Sequence, residues 1–125
     1  MFIITLFLIA FFLNLLYEML HSLLYKTCHE ASLQEYIYLM LKGAFFDGFV
    51  ISMVFSLCSL LIPKPWIILA FCLIALFLAY FWELHALKNK RWEYTNNMPM
   101  IAGVGITPLI QLLVTGIFSI HIALH

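Results

Sequence analysis

The sequence predicts an all-α integral membrane protein built as a bundle of four transmembrane helices, and three observations predict it. First, 66% of the residues are hydrophobic and only 10% charged, too little polar surface to coat a water-soluble globule. Mean hydropathy, at +1.08, agrees. Second, four apolar runs follow one another at 2–24, 36–62, 66–87 and 100–124, each close to the roughly 20 residues that carry an α-helix across about 30 Å of hydrocarbon. Third, the runs are continuously apolar instead of alternating, and so few strands could not close a barrel.

The first run carries Asn14, Glu18 and His21, with no basic stretch before it and no small-residue cleavage site after it. It therefore reads as a span and not as a signal peptide. The second run stops at Pro63-Lys64-Pro65, where the first proline ends one helix and the second opens the next. The fourth run is expected to be capped by Thr95, Asn96 or Asn97, with Pro99 just inside its start. Pro108 should bend that helix near mid-membrane by freeing the Val104 carbonyl, and Gly103, Gly105 and Gly116 should admit a close neighbour. No repeat or linker divides the chain, so 1–125 reads as one domain.

Charge and cysteine usage remove several function classes. Six Lys and Arg balance six Asp and Glu, which leaves no basic field to hold a nucleic acid. The three cysteines are Cys28, Cys58 and Cys72, the last two in separate apolar runs, and they read as packing residues, not as a disulfide framework. Glu18-x-x-His21 has the ligand spacing of a di-iron helix, but Glu83-Leu-His85 does not repeat it, and Cys28-His29 is too sparse for zinc. No metal or other cofactor is expected.

Function must then come from polar groups that do not belong in lipid, since a charged side chain at mid-membrane costs about 3 kcal/mol on insertion scales. Asn14, Glu18, His21 and Tyr25 recur at spacings of four, three and four, a stripe about 60° wide on one helix. The second run adds Lys42 and Asp47, the third Tyr80, Trp82, Glu83 and His85, and the fourth Thr107 and Gln111. Packed with these faces inward, the helices would line one cavity open at a single end. Glu18, His21, Asp47 and Glu83 are the candidate catalytic groups. Asn14, Tyr25, Tyr80, Trp92, Tyr94 and Gln111 are the candidate substrate contacts. Asn14, Thr107 and Gln111 could equally serve as hydrogen-bonding glue between helices, whereas a buried carboxylate makes poor glue because it needs a proton or a cation.

Two patterns carry a resemblance. Asn14, Tyr17, Glu18, His21 and Ser22, with Arg91-Trp92-Glu93-Tyr94, Met98-Pro99 and Gly103-x-Gly105-x-x-Pro108-x-x-Gln111, resemble a group of small four-helix membrane proteins of uncharacterised activity. More distantly, the stretch from Trp82 to Gln111 resembles the membrane lycopene cyclases of carotenoid synthesis, through Glu83, Ala86, Trp92, Tyr94, Pro108 and Leu109. Ile110-Gln111 stands where that family has two glutamates, so Glu18 would have to supply the acid. The resemblance implies proton-initiated isomerisation or cyclisation of an isoprenoid double bond, with Tyr25, Tyr80, Trp82 and Trp92 as aromatic faces for the cation. The implied partners are membrane lipids and a lipophilic substrate. The rival readings are an oligomeric proton-coupled carrier using Glu18, His21 and Asp47, with the glycines of the fourth run joining two copies, and an accessory subunit without chemistry of its own.

Lys26, Lys42, Lys88, Lys90 and Arg91 gather on one side of such a bundle, and only Lys64 lies on the other. The positive-inside rule makes the first side cytoplasmic and both termini non-cytoplasmic, in the inner membrane if the host is a bacterium. With the native cysteines replaced, an impermeant thiol reagent should label Lys64→Cys on intact cells and Asn89→Cys only after permeabilisation. The reverse pattern refutes this orientation.

Overall fold

The computed structural model describes all of residues 1–125. Five helices and one small hairpin follow in order: α1 (Phe2–His21), α2 (Lys26–Glu30), α3 (Leu33–Leu61), α4 (Ile67–Lys88), β1 (Met100–Ile101), β2 (Val104–Gly105) and α5 (Ile106–Leu124). Of these, α1, α3, α4 and α5 are long and apolar enough to cross a membrane, as expected of a multi-pass membrane protein. They form an up-and-down ring in which α1 packs on α3 and α5, and α4 packs on α5 and α3. Both termini and the 62–66 turn lie at one end, the turn end, and every other connection lies at the loop end. Leu8, Phe12, Leu16, Phe45, Phe49, Phe77, Phe81 and Phe118 face outward, an apolar belt suited to lipid.

Helix α3 starts earlier than its apolar run, because Ser32 and Glu35 form a capping box: Glu35 N–H donates to Ser32 Oγ at 3.3 Å, and Ser32 N–H to Glu35 Oε2 at 2.9 Å. Its 29 residues reach about 43 Å at 1.5 Å per residue, so its first turns project beyond the hydrocarbon at the loop end. Lys42 is exposed and lies 5.6 Å from the Tyr38 ring, with the cation turned outward and not toward Asp47. At the other end of α3 the Pro63-Lys64-Pro65 turn forms as the sequence predicts, with a short 3₁₀ stretch at Lys64–Trp66 leading into α4.

The last span corrects the sequence reading. Residues 100–105 form the β1–β2 hairpin, in which Met100 pairs with Gly105 and Ile101 with Val104, and α5 begins only at Ile106. Ala102 and Gly103 turn the chain with φ of 49° and 85°, a geometry no helix tolerates. Thr95, Asn96 and Asn97 therefore cap nothing, and the residue before α5 is Gly105. Pro108 is the third helical residue, where its missing N–H has no intrahelical acceptor to lose, so it starts α5 and does not bend it. The hairpin is tethered to α4 by Tyr80, whose hydroxyl donates to the Ala102 carbonyl at 3.1 Å.

The turn-end half of the bundle has an apolar core. Leu6, Ala10, Ile51, Phe55, Phe71, Leu112 and Ile120 belong to one buried cluster there. Gly116 receives the Phe71 ring and Gly105 lies against Met98 and Tyr94, whereas Gly103 has nothing within 4 Å. Gly48, absent from the sequence reading, sets the α1–α3 approach: a Cβ there would stand 3.1 Å from the Phe11 backbone nitrogen. A helix backbone cannot swing aside as a flexible side chain can. Gly48→Val should therefore lower stability by about 1–3 kcal/mol, the usual cost of overpacking, read as a lower thermal midpoint in detergent. An unchanged midpoint would show that α1 and α3 are not in this register.

Candidate functional site

At the loop end the buried surfaces of all four spans turn polar, and their side chains satisfy one another. No buried side-chain nitrogen or oxygen lacks a partner. Two clusters result, joined by the edge-on contact of His21 with Tyr25 at 5.1 Å between ring centroids.

The deeper cluster centres on Gln111 of α5. Its amide nitrogen lies 3.0 Å from Glu18 Oε1, 2.8 Å from Asp47 Oδ2 and 3.2 Å from Asn14 Oδ1. Two N–H protons thus face three acceptors on two neighbouring helices. Thr115, one turn on, also donates to Asn14 Oδ1 at 3.0 Å, while Asn14 donates to the Ala10 carbonyl. The other oxygen of Glu18 meets His21 Nε2 at 3.0 Å. His21 Nδ1 lies 3.4 Å from Thr107 Oγ1, which in turn lies 3.3 Å from Met98 Sδ. A proton sits between Nε2 and Glu18 Oε2 whichever of the two carries it. No Lys or Arg pairs with the cluster.

Glycine again sets the geometry. A Cβ at Gly43 would stand 2.9 Å from Glu18 Oε1, so the carboxyl of α1 lies in a notch on α3, one turn from Asp47. Gly43 and Thr115 were missed in the sequence, although each lies four residues from a polar residue singled out there and so shares its helix face.

The second cluster encloses Glu83, which is 3% exposed. Its Oε1 accepts from the Tyr25 hydroxyl at 3.0 Å, the Trp92 indole at 2.9 Å and the Tyr94 hydroxyl. Tyr94 in turn accepts from the Gly105 N–H at 3.0 Å. Backbone bonds hold the same segments together: Lys26 N–H to Glu93 O at 2.9 Å and Thr95 N–H to Leu24 O at 2.8 Å flank a Tyr25–Tyr94 bridge. Three donors on one oxygen are the arrangement that stabilises an ionised carboxylate without a cation.

The sequence-predicted residues thus divide. Asn14, Glu18, His21, Asp47 and Gln111 meet in one cluster, and Tyr25, Glu83, Trp92 and Tyr94 in the other. Tyr80 joins neither, since its hydroxyl serves the hairpin. Trp82 is exposed and stacks on Phe46 at 4.8 Å, and His85 is exposed beside Asn89. Instead of one open cavity, the spans hold a hydrogen-bonded network in which Glu18 keeps part of its side chain accessible. Beside it an apolar groove of about 180 Å³ runs between α1 and α5, walled by Leu13, Tyr17, Thr115 and Phe118 among others. Comparison with family models, curated proteins and solved structures returns no match.

Burial first, and then the Glu83 charge, raise the Tyr25 phenol above its ordinary value. Burial and the Glu83 hydrogen bond do the same for Tyr94. A raised phenol favours the folded state below the unfolded value of about 10, and that contribution is lost as pH climbs through the folded value. Thermal stability should therefore fall above about pH 10. Tyr94→Phe should be less stable at neutral pH by about 1–3 kcal/mol, having lost a bond to a charged acceptor, and should show a shallower alkaline decline. Equal slopes for the two proteins would remove Tyr94 from this linkage.

Proposed function

We propose that the protein is a membrane-embedded acid–base catalyst acting on a lipophilic substrate, and that the reaction is proton-initiated isomerisation or cyclisation of a carbon–carbon double bond of isoprenoid type. One observation carries the reading: Glu18 and Asp47 share the Gln111 amide, while His21 closes on the other Glu18 oxygen. Glu18 keeps 16% of its side chain accessible, so the group at the centre of the network can be reached. The Thr115 wall of the α1–α5 groove donates to Asn14, which gives a hydrocarbon chain a berth at the edge of the network that holds the acid.

The chemistry balances without a cofactor. The O–H bond of a protonated Glu18 breaks as its proton forms a C–H bond at one alkene carbon, leaving a cation on the other. Loss of a proton from an adjacent carbon to the carboxylate restores both acid and alkene, with the double bond moved; attack by a second double bond before that loss closes a ring. Asp47 and Gln111 hold the Glu18 carboxyl, His21 supplies or takes its proton, and Glu83 anchors the loop that covers the site.

The apolar core of the turn-end half argues against a proton-coupled carrier. Toward the turn end Ser52, Ser56 and Ser119 donate to carbonyls of their own helices and form no chain from face to face. The loop side is cytoplasmic in this reading, since it holds Lys26, Lys42, Lys88, Lys90 and Arg91.

Mass spectrometry of lipids and isoprenoids extracted from cells with and without the protein tests the proposal. A product should appear only with the protein. Glu18→Gln, inserted at equal level, should lower it by about 10²–10⁴-fold, the usual contribution of a general acid. Full product formation with a well-inserted Glu18→Gln protein overturns Glu18 as the acid.

A further inference from the structure

A pocket of about 510 Å³ lies at the loop end, between α2, the projecting first turns of α3 and the segment after α4. It is separate from the polar network except at Trp92, whose indole N–H is committed to Glu83. Its walls carry Lys26, Lys90 and Arg91 together with Glu30, Glu35 and Glu93. Their pairing is incomplete on both sides. Lys26 alone serves two carboxylates, Glu30 at 3.8 Å and Glu93 at 3.5 Å, while neither Lys90 nor Arg91 reaches any carboxylate. The Arg91 guanidinium is instead 5.5 Å from the Trp82 ring.

The backbone supplies a second, independent observation. Lys90 N–H donates to Leu87 O at 3.1 Å and Arg91 N–H to Ala86 O at 2.9 Å, the paired bonds of a Schellman ending to α4. The residue at its left-handed position is ordinarily glycine, and here it is Lys90, with φ of 54°. A side chain kept where glycine fits better is strain held at a particular place, and that place is the wall of a charged pocket. Tyr38 and Leu39 extend the same wall along α3 toward the hydrocarbon, so the pocket stands at headgroup level.

We propose that this pocket binds a zwitterionic phosphate headgroup of the phosphoethanolamine kind, with the phosphate on Lys90 and Arg91 and the ammonium on Glu30 and Glu93. Two unpaired cations and two carboxylates that share one lysine match a ligand carrying both signs, and a purely anionic headgroup meets three glutamates. The inference does not rest on the chemistry assigned to Glu18, because its readout is binding.

The protein, purified in detergent and inserted into lipid discs of phosphatidylethanolamine, phosphatidylglycerol or phosphatidylcholine, is examined by native mass spectrometry for retained lipid. Soluble phosphoethanolamine, tested by thermal shift, separates a free ligand from a lipid one, and a response in either arm supports the site. Phosphatidylethanolamine should be retained over the other two, less so in high salt. Lys90→Gly is the decisive variant, because glycine relieves the backbone: its thermal midpoint should rise while retention falls about fivefold, the effect of one cation near the headgroups. Unchanged retention in a stabilised Lys90→Gly protein overturns the proposal. So does phosphatidylglycerol held as well as phosphatidylethanolamine.

Discussion

A carboxyl group one or two helical turns below a membrane surface has no bulk water to solvate it, and everything at the loop end of this bundle follows from satisfying three of them. Glu18, Asp47 and Glu83 lie on three different helices, and no lysine or arginine pairs with any of them. Hydrogen-bond donors must do what cations do elsewhere. The fourth span contributes Gln111, the loops contribute Tyr25, Trp92 and Tyr94, and the helices are held in register by the demand that each donor reach its oxygen. Placing those donors is also what shortens α5, since the Gly105 N–H that binds Tyr94 is the last amide before the helix begins.

The same constraint divides the bundle into two halves that obey different rules. At the turn end, small residues and glycines let large ones interlock, as where Phe71 fills the space over Gly116. Dispersion packing and backbone hydrogen bonding suffice there. At the loop end, packing is subordinate to directional bonds, and glycine serves a carboxyl group: Gly43 leaves room for Glu18 where alanine would crowd it. One helix, α3, changes from one regime to the other between Gly43 and Gly48, within little more than a turn.

The spans were legible in the sequence because a continuous apolar run of membrane length is too oily for a solvated helix and too long for a buried strand. The polar stripe Asn14–Glu18–His21–Tyr25 was legible too, since periodicity alone places those side chains on one face. The hairpin at 100–105 was not. Met100-Ile101-Ala102-Gly103-Val104-Gly105 is as apolar as a helix interior, and hydropathy cannot tell a span from a loop that satisfies its own backbone by pairing with itself. The two glycines and Pro99 were the contrary signal, and reading the glycines as contact surface hid it. Which donor meets which acid depends on helix rotation and depth, quantities fixed only when all four spans pack. That is why Glu83, grouped with Glu18 by residue type, sits in a different cluster.

Glu18 and Glu83 show how surroundings separate two chemically identical groups at similar depth. Glu83 receives three donors on one oxygen, and each donor also ties down a loop or a span, so taking up a proton there would loosen Tyr25, Trp92 and Tyr94 together. Its hydrogen bonds are part of the fold. Around Glu18 the count runs the other way: Gln111 has two N–H protons for three acceptors, and the remaining contact is closed only by a proton that the carboxyl groups or His21 bring. That contact lies within α1, so no helix–helix contact depends on it. The surplus around Glu83 instead holds Tyr25, Trp92 and Tyr94 against the spans.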